Sequence, residues 1–318
     1  MNKKFLFGAI FLALCSTLMN GCSVLFAVMM GLSVTDSPID DPLYEKVYLT
    51  VKGIEINGEK MKEFDEKITL NIAELQNGVT KELAEVPVAE GDLDAVTLIL
   101  DFDKDENGEA PGCYAETSYG RKIDLSNGRS GDYKLELLKD LQFEEDEEAN
   151  LVLDIDLRKA MRNGLPGEEN DVSLVDDDEL RRSIRVIREE TAGNVLGTLT
   201  NQLTNNPQVG IFNIYSYARG TFDKNQEQFD GNFDGRTFEQ AISSTRIQVF
   251  PGQSQAFGLY YLEPGEYDLV IEAWQVEEFS QWAVGMLKPV GAELLTIPVT
   301  VEEGADTQIQ ITGDGLVL

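Results

Sequence analysis

The stretch Val47–Gly58, VYLTVKGIEING, decides the fold. Val47, Leu49 and Val51 alternate with Tyr48, Thr50 and Lys52, the period of a half-buried strand. Gly53 breaks the phase. On a regular strand Ile54 and Ile56 would turn to the opposite face. A bulge near Lys52-Gly53 returns them to the core side. Asn57-Gly58 then ends the run with the dipeptide that tight hairpin turns favour. The stretch is one strand of an antiparallel hairpin, kinked once and covered on one face.

The same pattern recurs along the chain. Ile68, Leu70 and Ile72 form a strand closed by Asn77-Gly78. Val96, Leu98, Leu100 and Phe102 form another, as do Tyr133, Leu135 and Leu137, and then Leu151, Leu153, Ile155 and Leu157. On that last strand Asp154, Asp156 and Arg158 share the other face. They are expected as a solvated row with an i,i+2 ion pair; a binding row is the alternative. Two acidic runs, 144–148 and 176–179, read as loops, because consecutive like charges repel and stay in water. Strand signals return at Ile184 and Val186. The polar run Glu189–Asn194 reads as a domain boundary.

The second half restarts at Val195 and Leu196. Ile211, Ile214 and Tyr217 mark an irregular strand, followed by a polar insert over 221–235. Later strands are expected over 247–250, 256–261, 267–274, 294–301 and 307–311. Pro251-Gly252 and Pro264-Gly265 supply turns between them. Many short strands with turns every eight to twelve residues, and little helical periodicity, predict an all-β chain of two antiparallel sandwiches.

Composition narrows the function. The chain carries 26 basic and 57 acidic side chains, a formal net charge of −31. Such a surface repels nucleic acid and anionic headgroups. There is no histidine, which removes every scheme that uses imidazole as a base and every histidine-containing zinc site. The three cysteines are Cys15, Cys22 and Cys113.

The N-terminus reads as an export signal. Lys3 and Lys4 precede an apolar run from Phe5 to Met19, too short for a comfortable membrane span. Leu18-Met19-Asn20-Gly21-Cys22 resembles the lipobox of bacterial lipoproteins, which implies cleavage before Cys22 and its lipidation. A plain secretory signal is the alternative. Loss of residues 1–21 removes two lysines and no acid, deepening the net charge by two to −33. Cys113 is then the sole thiol, so no intramolecular disulfide is available.

Two further resemblances concern whole domains. Thr35-Asp36-Ser37-Pro38, Asp40-Asp41 and Val47–Ile56, with "LVLDIDLRKAM" at 151–161 and Ser183–Ile187, are similar to domain of unknown function 4382. That family occurs in bacterial lipoproteins and has no assigned activity. The resemblance spans about residues 28–190. Phe257–Ala273, "FGLYYLEPGEYDLVIEA", resembles the turn and core strand of carboxypeptidase-regulatory or transthyretin-like sandwiches. The implied organisation is a signal over 1–21, a first domain over 22–190 and a second over 193–318, both prealbumin- or immunoglobulin-like. The first resemblance also marks Asp103–Gly112 as longer than the turn expected there.

That loop, "DFDKDENGEAPG" at 101–112, holds the chemical candidates. Asp103, Asp105, Asn107, Gly108 and Glu109 match positions 1, 3, 5, 6 and 7 of a calcium loop. Position 12 is Tyr114 rather than an acid; Asp101 or Glu116 would have to supply the missing oxygen. The other reading is an acidic hairpin tip built on Asn107-Gly108. "DGNFDG" at 230–235 is a lesser calcium candidate or a surface loop. Trp282, with Trp274, Tyr260 and Tyr261, is a candidate sugar platform, although Trp274 continues a core-like strand.

The sequence therefore predicts a non-enzymatic, lipid-anchored outer-membrane protein with a structural or adhesive role, calcium-stiffened at Asp103, Asp105, Asn107 and Glu109. Its partner would be an envelope protein or a glycan. The alternatives are a glycan-binding lipoprotein and a hydrolase that works with paired carboxylates.

Overall fold

The structure is a computed structural model that describes residues 27–37, 44–89, 91–117, 119–143, 149–163, 172–202, 209–228, 236–276, 287–289 and 294–312. Cys22, the run 144–148, "DGNFDG" and Trp282 lie outside them. Among the described residues no helix is long and apolar enough to cross a membrane.

The first half runs β1 (Ala27–Ser37), β2 (Tyr44–Ile56), β3 (Glu59–Asn71), β4 (Lys81–Ala89), β5 (Gly91–Asp101), β6 (Tyr114–Thr117), β7 (Lys122–Asp124), β8 (Asp132–Phe143) and β9 (Ala149–Asp156). Then come α1 (Leu157–Ala160), β10 (Met161–Asn163), β11 (Val172–Leu174), α2 (Asp177–Arg182) and β12 (Ile184–Arg188). One sheet has the order β12-β9-β1-β4; the other has the order β7-β6-β2-β5-β8, with β3 also paired to β2. Met30, Leu32, Leu153 and Ile155 of the first sheet face Val47, Val51, Leu98 and Leu135 of the second in one buried cluster.

The opening stretch behaves as its sequence requires. Both neighbours of β2 shift register between Val51 and Gly53, and Val47, Leu49, Val51, Ile54 and Ile56 all lie in the core. Asn57 and Gly58 have φ of 49° and 78°, and Asn77 and Gly78 have 60° and 77°, the left-handed pairs that a two-residue turn needs. β5 and β6 pair with the same edge of β2, and the 102–113 loop is the excursion between them.

The second half runs β13 (Gly193–Thr200), β14 (Val209–Ala218), α3 (Lys224–Glu227), β15 (Ser243–Gln248), β16 (Ser254–Leu262), β17 (Gly265–Val276), β18 (Leu287–Pro289), β19 (Leu295–Val301) and β20 (Asp306–Thr312). A β16-β13-β20 sheet packs against a second sheet, β15-β14-β17 with β18 and β19 on β17. Val195, Phe212, Leu259, Leu269, Ile271 and Ile311 lie in their shared core. Between the last buried apolar residue of the first core, Val186, and the first of the second, Val195, lies a single 3-10 turn, Glu189–Thr191.

Three details differ from the sequence reading. β1–β9 and β13–β20 run parallel, one such pair in each sandwich. Long connections make this possible, since a parallel pair needs a crossover rather than a hairpin. The acidic run 176–179 is not a loop. Asp176 caps α2, its carboxylate accepting from the Glu179 amide, and Asp177, Asp178 and Glu179 sit in the first turn, where the helix dipole favours negative charge. The insert after β14 is not wholly solvent-facing either. Phe222 packs with Tyr215, Tyr217, Phe238 and Ala241 on the outer face of the β14–β17 sheet. The buried Glu227 carboxylate fixes it there, accepting from the Tyr217 hydroxyl at 2.6 Å and the Gln240 amide at 3.1 Å.

Candidate functional site

The 101–112 loop spends its carboxylates on its own backbone and on neighbouring residues of the sandwich. Asp105 is only 2% exposed. Its Oδ1 accepts from the amides of Asn107 and Glu109, each at 2.9 Å, and its Oδ2 lies 3.2 Å from Lys122 Nζ. Burial alone would raise the Asp105 pKa; those two amides and Lys122 outweigh it and hold the carboxyl below its ordinary value. Asp103 Oδ1 accepts from the Gly131 amide at 2.8 Å. Asp101 Oδ1 accepts from Asp103 and Lys104, and its Oδ2 meets Lys67 at 2.7 Å. Asn107 and Glu109 are exposed, Glu109 reaching Lys122 at 3.6 Å. Glu106 and Thr69 exchange bonds that tie the loop to β3. Asp103, Asp105 and Glu109 thus act as turn caps and ion-pair partners, and Asn107 contributes its backbone amide. Among the described residues no group of three His, Cys, Asp or Glu side chains is placed to hold a metal ion.

Cys113, at the end of this loop, is buried, and that burial pushes its thiol up to about 12. It is protonated and unreactive at neutral pH.

The principal concentration of buried charge lies elsewhere, in the row expected to face solvent. Asp154 and Asp156 are 3% exposed and Arg158 is 6% exposed. Period two correctly put Asp154 and Asp156 on one face of β9, and Arg158 joins them from α1; the second sandwich covers that face. Arg158 Nη2 meets Asp156 Oδ2 at 2.8 Å. Its Nη1 donates across the seam to the carbonyls of Thr237, at 3.2 Å, and Phe238. Its guanidinium lies 5.3 Å from the Tyr215 ring centre, and Tyr215 stacks on Phe238 at 4.1 Å. Lys159 Nζ adds a second cation 3.3 Å from Asp156 Oδ2. Burial lowers the Lys159 pKa, and Asp156 opposes that effect.

Arg185 repeats the arrangement one strand away. It sits opposite Asp154 in the β9–β12 register, bonds that carboxylate through two nitrogens, and donates from Nη1 to the Tyr261 carbonyl at 2.9 Å. Around these bolts, Arg236 reaches the Lys159 carbonyl at 3.4 Å and Glu179 at 3.4 Å, while Lys139 pairs with Glu263 at 2.7 Å. The Tyr261 hydroxyl donates to the Gly78 carbonyl at 3.2 Å. The Tyr260 ring lies against two glycines, one from each sandwich. A Cβ on Gly78 would come within 2.7 Å of it, and a Cβ on Gly258 within 2.3 Å.

Asp36, from the Thr-Asp-Ser-Pro stretch, ends β1 beneath this seam. It is buried, and burial first, then Asp154 and Asp156, push its pKa well above the ordinary carboxylate value. Its Oδ1 accepts a long bond from the Leu157 amide at 3.4 Å; Oδ2 has no hydrogen-bond partner. Sequence reading missed Asp36, Arg185 and Tyr261 as members of one site. Their one signal was that Asp36, Asp154, Asp156 and Arg185 all fall inside the three stretches that resemble one family.

Trp274 is half-buried, its Nε1 donating to Glu272, so it is not set as an open sugar platform.

Residues 28–174 match a family model described as domain of unknown function (DUF4382). No curated protein matches the chain. Among solved structures, it is similar to the major pilin subunit of Bacillus cereus at 8% identity, covering 90% of this chain and 69% of that one, with a TM-score of 0.21. The minor pilin of Streptococcus agalactiae matches at 10% identity, 89% and 94% coverage and a TM-score of 0.17. The major pilin T-13 of Streptococcus pyogenes matches at 11% identity, 90% and 96% coverage and a TM-score of 0.16. Likeness at this level carries no functional weight.

Proposed function

We propose that this chain is a non-enzymatic, lipid-anchored module of the cell envelope, exported to the outer membrane, where it holds two sandwiches as one stiff unit for a structural or adhesive task. The observation that carries the reading is the use of Arg158 and Arg185. A charged cluster that might have lined an open cleft is instead closed, each guanidinium bonded at once to its own sandwich and to the carbonyls of the other. The acidic surface and the absence of histidine fit a part whose chemistry is to persist and not to turn over. Cys22 carries the anchor in this reading. Cys22→Ala should abolish palmitate labelling and move the protein from the membrane fraction to the soluble one; retained membrane association would remove the anchor.

The task itself is tested with the mature chain from residue 23. Cross-linking on intact cells is expected to recover an envelope protein, and a glycan array is expected to stay blank. Saturable glycan binding would replace this reading with the glycan-binding one. Calcium at Asp103, Asp105, Asn107 and Glu109 would stiffen the first sandwich further, but an ion there must displace Lys122 from Asp105. Calorimetric titration decides it: one-site heat in the 0.1–1 mM range, about that of extracellular calcium modules, supports the ion, and no heat to several times that range retires it.

A further inference from the structure

The seam contains a cavity that neither guanidinium fills. Its volume is about 10 Å³, room for one water-sized occupant. Its walls come from both sandwiches, Asp36, Asn77 and Asp154 from the first and Ser244, Thr245 and Tyr261 from the second. Every one of these side chains offers an oxygen. Two of them are buried with an oxygen that bonds nothing: Asp36, 5% exposed, through Oδ2, and Ser244, 6% exposed, through Oγ. A buried carboxylate oxygen without a partner is costly, and proteins ordinarily fill such a place.

Charge says what fills it. Arg185 is bonded to Asp154, and Arg158 and Lys159 are bonded to Asp156. Among the described residues no basic side chain bonds Asp36. Ionised, Asp36 would leave the cavity facing two carboxylates and one neighbouring guanidinium, one positive charge short; burial, Asp154 and Asp156 oppose that ionisation, and a bound cation is what would permit it. A divalent ion would overshoot, and among the described residues no third carboxylate converges to receive one. An oxygen-rich lining without sulfur or imidazole suits a hard cation, not a soft one.

We propose that this cavity is a binding site for one monovalent cation, held between Asp36, Asp154 and Ser244, which couples the two sandwiches through a shared ion. Sodium is the probe.

The test is thermal unfolding of the mature chain at neutral pH and fixed ionic strength, in sodium chloride against tetramethylammonium chloride. The tetramethylammonium ion is too large for the cavity. The melting temperature should be higher in sodium, by about 3–6 °C once sodium exceeds its dissociation constant about tenfold, and the gain should saturate as one site does. Asp36→Asn should remove the sodium-specific gain. Ser244→Ala, a gentler change, should weaken it and shift its midpoint to higher sodium. Equal melting temperatures in the two salts overturn the proposal, as does a sodium gain that both variants keep. A crystal soaked in rubidium provides an independent readout: an anomalous peak between Asp36 and Ser244 supports the site, and a water there overturns it. Neither failure touches the arginine bonds that join the sandwiches.

Discussion

Arg158→Ala is expected to cost about 3–5 kcal/mol, the usual penalty for removing one partner of a buried ion pair. The reasons are specific to the position. Asp156 would keep Lys159 but lose its closest cation, and the Thr237 and Phe238 carbonyls would lose a charged donor. The Tyr215–Phe238 stack would lose the guanidinium above it. Because those partners sit on opposite sides of the seam, the loss should also separate the domains. Differential scanning calorimetry of the mature chain should show one cooperative transition, and the variant two, the sandwiches melting independently. Arg158→Lys should rescue little, since one ammonium cannot reach Asp156 and two carbonyls in the planar geometry a guanidinium supplies. A variant that still melts in one transition within a degree or two of the parent would show that the seam does not couple the sandwiches.

Gly112→Ala should be nearly as damaging, at about 3 kcal/mol, the upper range for forcing atoms into a filled space. A Cβ there would lie 2.1 Å from the Asp101 carbonyl oxygen and 2.8 and 2.9 Å from Lys104 backbone atoms. These neighbours are backbone and cannot rotate away. Gly112 also lends its carbonyl to the buried Thr50 hydroxyl at 2.6 Å, so displacement would spread into β2. Gly108 is the control. Its φ of 81° is unfavourable to alanine, but a Cβ there meets nothing within 4 Å. Gly108→Ala should therefore cost only about 1 kcal/mol, the backbone term alone. Urea denaturation of both variants makes the comparison; equal losses would mean that close approach at Gly112 is not what fixes the loop.

Local rules carried the sequence reading far. The Lys52 bulge, the two Asn-Gly turns and the alternation along β2, β5 and β8 each follow from a dozen neighbouring residues, and the strands formed accordingly. The seam was out of reach for the same reason. Period two assigns Asp154, Asp156 and Arg158 to a face, but says nothing of what covers that face. The cover is supplied by Thr237, Phe238 and Tyr261, some eighty residues or more farther on. Helix α2 failed differently. Four acids in succession look repulsive until the first serves as a cap and the rest lie at the positive end of a helix. In the 101–112 loop the pattern D-x-D-x-N-G was read as a calcium loop, with an acidic hairpin tip as the other reading; Lys67 and Lys122, which sit on Asp101 and Asp105, come from elsewhere in the sheet and lay beyond that pattern.

The Tyr260 ring bears on inheritance. It fits only because Gly78 in one sandwich and Gly258 in the other both lack a side chain. A lineage that exchanges either sandwich for a cousin must bring the matching glycine and ring with it. The two halves are thus not free to be recombined as interchangeable parts; substitutions at 78, 258 and 260 should drift together or not at all.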